Sequence, residues 1–83
     1  MNKNEIMLSL AAKIAAELLN QPNRAIEPTE SLITSGLIDS FSLVDLSILI
    51  EDNFEVLIDD SELNADTFDT LEELSALIAD RMA

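Results

Sequence analysis

The pair Asp39-Ser40 stands where a long polar connection ends and an apolar helix is predicted to begin. Asp is favoured immediately before a helix, because its side chain can accept a hydrogen bond from an amide of the first turn. A serine after that cap would hold its hydroxyl in solvent, on a rigid element, beside N–H groups that have no partner within the helix. Such a hydroxyl suits the covalent attachment of an anionic group, since a helix N-terminus favours negative charge.

The residue types that the chain lacks restrict its other chemistry. Its 83 residues include no Cys and no His, which removes thiolate nucleophiles and disulfides and the commonest general base near neutral pH. A hydrolase built on Ser40 therefore fails for want of a base. The acidic run Asp59-Asp60-Ser61-Glu62 lacks the alternating oxygen ligands, central glycine and terminal Glu of an EF-hand loop. We expect no autonomous catalysis, no catalytic residue and no metal site.

The charge distribution restricts the classes of partner. The formal net charge is −13, and fifteen of the seventeen acidic residues lie between positions 25 and 80, a stretch without Lys or Arg. Nucleic acids and anionic membrane surfaces are polyanions, so they are excluded as partners. Proteins with basic docking patches are favoured, because complementary fields speed encounter.

Length and hydropathy predict one small domain over residues 1–83. This is close to the lower size at which a core suffices without disulfides, and the hydrophobic content of 48% favours folding over disorder. No segment approaches the ~18 uncharged apolar residues of a membrane span, and the N-terminal segment lacks the pattern of a signal peptide. We expect a cytoplasmic monomer without membrane insertion.

Apolar spacing predicts an all-α fold with four helices and one long connection. The first helix is expected at residues 3–19, on the i+4 series Ile6, Leu10, Ile14 and Leu18. A connection of about 18 residues follows, which is long for a compact domain. We expect it to be ordered, because apolar residues can pin it to the core: Ile26, Leu32, Ile33 and Leu37. Gly36, the only glycine, is expected in a conformation that a side chain would forbid.

The remaining helices are predicted from caps and spacing. The second is expected at residues 40–53, a short third from Asp59 to about residue 65, and a fourth from Thr70, where Thr70-Leu71-Glu72-Glu73 has the form of a capping box. Apolar residues continue that last helix at helical spacing: Leu71, Leu74, Ile78 and Met82. The alternating residues Phe54, Val56 and Ile58 indicate an extended apolar link, because a single strand would have no partner.

The second helix has two different faces at 100° per residue. One is a core stripe of Leu43, Leu46, Leu49 and Ile50. The other mixes apolar and acidic residues: Phe41, Val44, Asp45, Ile48, Glu51 and Asp52. That mixture is typical of a docking surface, although isolated surface apolar residues such as Phe41 and Ile48 need no functional explanation. We favour docking and leave the second interpretation open.

With Asp39-Ser40 placed, the second half of the chain resembles the acyl carrier and peptidyl carrier proteins. Ser31-Leu32-Ile33 looks like the apolar anchor ahead of their attachment site, and Val44-Asp45-Leu46 with Glu51-Asp52-Asn53-Phe54 resembles their second helix and its exit. Phe68-Asp69-Thr70-Leu71 is similar to the opening of their fourth helix. The N-terminal half matches only in pattern.

The resemblance implies a four-helix bundle with a short third helix and a long loop between helices one and two. It also implies that Ser40 carries 4′-phosphopantetheine, with Asp39 beside it, and that cargo is held as a thioester on the cofactor thiol. The partners it implies are a phosphopantetheinyl transferase, acyl- or aminoacyl-loading enzymes and downstream synthases, all meeting the acidic face of helix two. Fatty acid, polyketide and nonribosomal peptide biosynthesis are the pathways that use such carriers.

The sequence departs from the family pattern just before the serine. Fatty acid carriers commonly have Asp-Leu-Gly-x-Asp-Ser, whereas this chain has Ser35-Gly36-Leu37-Ile38-Asp39-Ser40. That form, with Phe41 after the serine, looks more like the free-standing D-alanyl and aminoacyl carriers of specialised pathways. Two alternatives therefore stay beside the acyl carrier: such an aminoacyl carrier, and an acidic helical interaction module that is never modified.

Overall fold

The computed structural model describes residues 2–82, in which helices pack around one core and no β-strand occurs. Helix α1 spans Lys3–Lys13 and continues into a π-helical turn at Ile14–Leu18. Helix α2 spans Ser40–Phe54, a 3-10 turn follows at Asp60–Glu62, and helix α3 spans Leu71–Met82. The all-α prediction is confirmed for this part of the chain.

The first helix begins and ends with local hydrogen bonds. The Glu5 amide donates to the Asn2 side chain at 2.9 Å, and the Asn2 amide donates back to the Glu5 carboxylate at 3.3 Å. At the other end the Leu19 amide donates to the carbonyl of Ile14, five residues back, at 3.0 Å. The helical stretch then stops at Asn20, whose φ of +54° is left-handed. Its extent matches the prediction of residues 3–19, but the widened last turn was not foreseen.

The core is built from one stripe of each helix. Helix α1 packs against α3, and the π turn packs against α2. All of the residues predicted for the inner stripe of α2 are buried, as are the three residues of the apolar link: Leu43, Leu46, Leu49, Ile50, Phe54, Val56 and Ile58. From α1 the buried side chains are Ile6 and Leu10, with Ile14 in the π turn. Leu18 is half-buried and Met82 is exposed.

The long connection is ordered by the residues that were predicted to pin it. Ile26 and Leu32 are buried, and Ile33 and Leu37 pack against the core. Gly36 has a φ of +80° and no atom within 4 Å of the position that a Cβ would take. A glycine is therefore favoured here because the backbone is left-handed, and not because a neighbouring atom needs the space.

The predicted third helix is shorter than expected, so a bundle of four helices is not confirmed. Only Asp60–Glu62 is helical, as one 3-10 turn. Asn64 then ends the helical turn. Its side-chain oxygen accepts from the Thr67 amide at 3.1 Å, and its side-chain nitrogen donates to the Ser61 carbonyl at 2.7 Å. Such local bonds give the backbone an alternative to the helix.

The last helix is fixed at both ends. The Glu73 amide donates to the Thr70 hydroxyl at 3.1 Å, as the capping box predicts, but the Glu73 carboxylate accepts from the Asp69 amide at 2.9 Å and not from the Thr70 amide. Near the other end Arg81 forms an ion pair with Glu62 and donates to the carbonyl of Leu57 at 3.1 Å. These contacts join the end of α3 to the apolar link and the 3-10 turn.

Candidate functional site

Ser40 is the first residue of α2, and its side chain is exposed. Within residues 2–82 its hydroxyl has no hydrogen-bond partner, and neither has its own amide N–H. The site therefore offers a free hydroxyl next to a free amide, at the positive end of a helix of 15 residues. That combination can receive an anionic group and hold one of its oxygens.

Asp39 is the N-cap of α2, as predicted. Its carboxylate accepts from the Ser42 amide at 2.8 Å, and its carbonyl accepts from the Leu43 amide at 3.1 Å. The amide and hydroxyl of Ser42, followed by the amide of Phe41, lower the pKa of Asp39 below its usual value. The carboxylate is thus ionised at neutral pH and fixes where α2, and with it Ser40, begins.

A second carboxylate, not foreseen from the sequence, fixes the connection that leads to Ser40. Asp69 accepts from the Ile33 and Thr34 amides at 2.7 and 3.0 Å, and from the Ser31 and Thr34 hydroxyls at 2.8 and 2.6 Å. These bonds, those of Thr34 first, lower the pKa of Asp69 well below its ordinary range. We call Ser31, Ile33, Thr34 and Asp69 the Asp69 clamp.

The outward face of α2 is exposed over its whole length. Every residue predicted for it is solvent-accessible: Phe41, Val44, Asp45, Ile48, Glu51 and Asp52. Phe41 is 86% exposed, and Val44 and Ile48 are each 51% exposed. Large apolar side chains thus alternate with carboxylates along one stripe that starts beside Ser40, which we call the outer α2 face.

A groove that sequence reasoning missed lies between the π turn and α2. Its volume is about 240 Å³, and it is lined by residues of both elements: Glu17, Leu18, Asp45, Ile48, Leu49 and Asp52. Glu17 lies outside the i+4 apolar series on which the first helix was predicted. Only the three-dimensional packing shows that its side of the helix borders α2, so no sequence signal could have found the contact.

The chain has a second Asp-Ser pair, Asp60-Ser61, in a different setting. It lies in the 3-10 turn of three residues, and the Ser61 hydroxyl donates to the Asp59 carboxylate at 2.6 Å. Ser61 therefore has neither a free hydroxyl nor a long helix behind it.

Comparison with known families identifies the chemistry of this arrangement. A family model described as a phosphopantetheine attachment site matches residues 10–78. The chain belongs to this family. Its members carry covalently attached 4′-phosphopantetheine, as the acyl and peptidyl carrier proteins do, which confirms the predicted resemblance and cofactor. No curated protein and no solved structure gives a significant match.

The residues of this carrier fit the group that the family implies. A phosphodiester needs a hydroxyl to attach to and donors for its oxygens, and both lie at Ser40. The Ser40 hydroxyl is accessible from solvent, because Asp39, Ser40 and Phe41 are all exposed. Residues 2–82 contain no cluster of His, Cys, Asp and Glu suited to a metal ion, and no helix among them has the length and hydropathy to span a membrane.

Proposed function

We propose that Ser40 is the residue to which 4′-phosphopantetheine is attached, and that the protein carries an acyl or aminoacyl cargo between enzymes. The observation behind this assignment is the free Ser40 hydroxyl at the start of α2, next to a free amide. The family match covers both Asp-Ser pairs, so the choice between Ser40 and Ser61 depends on structure. Ser61 is engaged by Asp59 at 2.6 Å, whereas Ser40 is not engaged at all within residues 2–82.

The chain positions the cofactor and does no chemistry of its own. The cofactor supplies a thiol, the group that a cargo thioester requires and that a chain without Cys lacks. Ser40 provides the attachment oxygen and its amide provides a donor for the phosphate. Asp39 holds the helix start, and the Asp69 clamp holds the approach to it.

The outer α2 face is the surface that meets partner enzymes in this proposal. Carriers of the family are modified by phosphopantetheinyl transferases and interact with biosynthetic enzymes. The face offers them the carboxylates of Asp45, Glu51 and Asp52 among exposed apolar side chains. A partner with basic residues around an apolar patch would complement it in both charge and hydropathy.

The cargo we favour is the acyl or aminoacyl group of a specialised pathway. The support is the Gly36-Leu37-Ile38 order before the site and the aromatic Phe41 after it, 86% exposed where a partner would contact it. Intact-mass spectrometry of the protein purified from its own host would identify the attached group.

Co-expression with a phosphopantetheinyl transferase, followed by intact-mass measurement, tests the attachment residue. The wild type should gain the mass of one phosphopantetheinyl group. Ser40→Ala should abolish that gain while the helical circular dichroism stays unchanged, because the hydroxyl makes no hydrogen bond within residues 2–82. Ser61→Ala is the matched control and should be modified fully.

Two results would contradict the proposal. A mass gain that persists in Ser40→Ala would place the attachment elsewhere. A wild type that the phosphopantetheinyl transferase never modifies would instead support the unmodified interaction module.

A further inference from the structure

The first helical stretch differs from the other helices in its charge. Residues 3–18 include two Lys and two Glu, so their charges cancel. By contrast, α2 has three acidic residues and no basic one, and α3 has three acidic residues and one basic one. Two copies of a protein with a net charge of −13 repel each other. Among the helices, α1 is therefore the one through which two copies can approach with the least repulsion.

A large and a small apolar residue lie one turn apart on the outward side of α1. Leu8 is 71% exposed, and Ala12, four residues later, is exposed as well. No charged residue occurs between Glu5 and Lys13. If two α1 helices pair in antiparallel fashion about a two-fold axis near Leu10, Leu8 of each copy lies against Ala12 of the other. Such pairing of large with small side chains lets two helices interdigitate.

Glu5 and Lys13 give the same side of α1 a charge pattern that complements itself. They are eight residues apart, about 12 Å along the helix, and at 100° per residue both lie on the same side of the line from Leu8 to Ala12. Antiparallel pairing therefore brings Glu5 of each copy near Lys13 of the other. Neither residue belongs to an ion pair within residues 2–82. A surface that complements itself after a two-fold rotation is what a symmetric dimer contact requires.

We propose that Glu5, Leu8, Ala12 and Lys13, which we call the α1 face, bind the α1 face of a second copy of this chain. A single exposed Leu needs no explanation, but the paired sizes and the self-complementary charges select a second copy as the occupant. Two short helices bury less area than a standard interface, so the dissociation constant should be about 10⁻⁴ M. The monomer expected from the sequence then prevails at micromolar concentrations. This inference uses no residue of the attachment site or of the outer α2 face, so it does not depend on the proposed function.

Sedimentation equilibrium tests the apolar part of the α1 face. Between about 10 μM and about 1 mM protein, the average mass of the wild type should rise from 9.1 kDa toward twice that value. Leu8→Ser should raise the dissociation constant at least about tenfold, because the lost apolar contact occurs twice in the dimer. Leu57→Ser is the matched control, since Leu57 is also 71% exposed but lies in the apolar link after α2. Its association should match that of the wild type.

Charge reversal tests the complementary ends of the α1 face. Lys13→Glu and Glu5→Lys should each weaken association about tenfold, because each places like charges opposite one another at both ends. An equimolar mixture of the two variants should associate again, since the mixed dimer restores opposite charges. Glu5→Lys also changes the net charge from −13 to −11, so general repulsion alone would make this variant associate more tightly than the wild type. Thermal melts would verify that each variant is folded.

Three results would overturn this inference. The wild type could remain at 9.1 kDa up to about 1 mM, which would show that no such dimer forms. Leu8→Ser and Leu57→Ser could associate equally, which would place the contact elsewhere. The mixture of Lys13→Glu and Glu5→Lys could associate no better than either variant alone, which would exclude the antiparallel arrangement. None of these results affects the assignment of Ser40.

Discussion

At Ser40 the hydroxyl has no hydrogen-bond partner within residues 2–82, while two carboxylates order the backbone that leads to it. The Asp39 carboxylate accepts from the Ser42 amide at the start of α2, and the Asp69 carboxylate accepts from the Ile33 and Thr34 amides of the loop before it. Both carboxylates are held by donors of the backbone around the site, and their lowered pKa values make them weak bases. In the proposed function, Ser40 is therefore a nucleophile that the modifying enzyme has to activate.

The Asp69 clamp predicts a pH-dependent stability. Its bonds lower the pKa of Asp69 in the folded protein, whereas the ordinary value is 3.8. The ionised carboxylate therefore stabilises the fold above pH 3.8, and this contribution is lost as the pH falls through the lower folded-state pKa. Asp69→Asn should melt below the wild type at neutral pH, and the gap should narrow as the pH falls below 3.8.

Thermal melts of both proteins across this pH range provide the measurement. Asp66→Asn is a suitable control, since Asp66 is exposed, close in sequence and outside the clamp. A gap between Asp69→Asn and the wild type that stays constant down to the lowest pH would show that the charge of Asp69 is not what stabilises the loop.

At the scale of elements, α2 has one buried face and one exposed face. Leu46 is fully buried, whereas Ile48, two residues on, is 51% exposed. Leu46→Ala should destabilise the protein by about 2–5 kcal/mol, because it removes buried methyl groups and leaves a cavity. Ile48→Ser and Asp45→Lys should change the free energy of unfolding by less than about 0.5 kcal/mol, as surface substitutions usually do. Urea melts of the three variants would measure this.

The same variants should have the reverse order of effect on modification by the transferase. Ile48→Ser removes an apolar contact and Asp45→Lys opposes a basic partner, so both should slow modification. Leu46→Ala should be modified at the wild-type rate under conditions where it remains folded. If Ile48→Ser unfolds the protein and Leu46→Ala does not, the two faces have been assigned the wrong way round.

The periodic parts of the fold were predictable from sequence. The stripes of α2, the Asp39 cap, the left-handed Gly36 and the extended link after α2 follow from local patterns, and the structure confirms each of them. Local patterns suffice here because each depends on residues within about one helical turn.

The unpredicted parts depend on distant contacts or on competing local bonds. The Asp69 clamp joins residues 35 to 38 positions apart, which no local pattern reports. The spacing of Ile14 and Leu18 fits an α-helix and a π turn alike, so periodicity could not distinguish them. The third helical segment is shorter than predicted because Asn64 bonds to its neighbours, an outcome that helix propensity alone does not specify.

At the scale of the whole molecule, charge repulsion extends across the entire fold. The principal extents are 30 × 26 × 22 Å. The Debye length is about 30 Å at 0.01 M salt, so at low ionic strength every carboxylate repels every other. At about 0.15 M it falls to about 8 Å, and only neighbouring charges still interact.

Thermal stability should therefore rise with salt. A net charge of −13 destabilises the compact state through self-repulsion, and screening relieves more repulsion than it weakens attraction, since only two ion pairs occur within residues 2–82. Melts at about 0.01 M and about 0.15 M sodium chloride should show a higher midpoint at the higher concentration. Divalent cations should act in the same direction. A midpoint that stays level or falls would refute this account.

The Asp69 clamp also has a consequence for the local opening of the loop before α2. Three consecutive loop amides, those of Leu32, Ile33 and Thr34, all donate to Asp69, the first to its carbonyl and the others to its carboxylate. None of them can exchange its hydrogen with solvent unless the loop separates from the start of α3. We therefore expect the loop to open as a unit, so that hydrogen-exchange NMR should give these three amides similar protection factors.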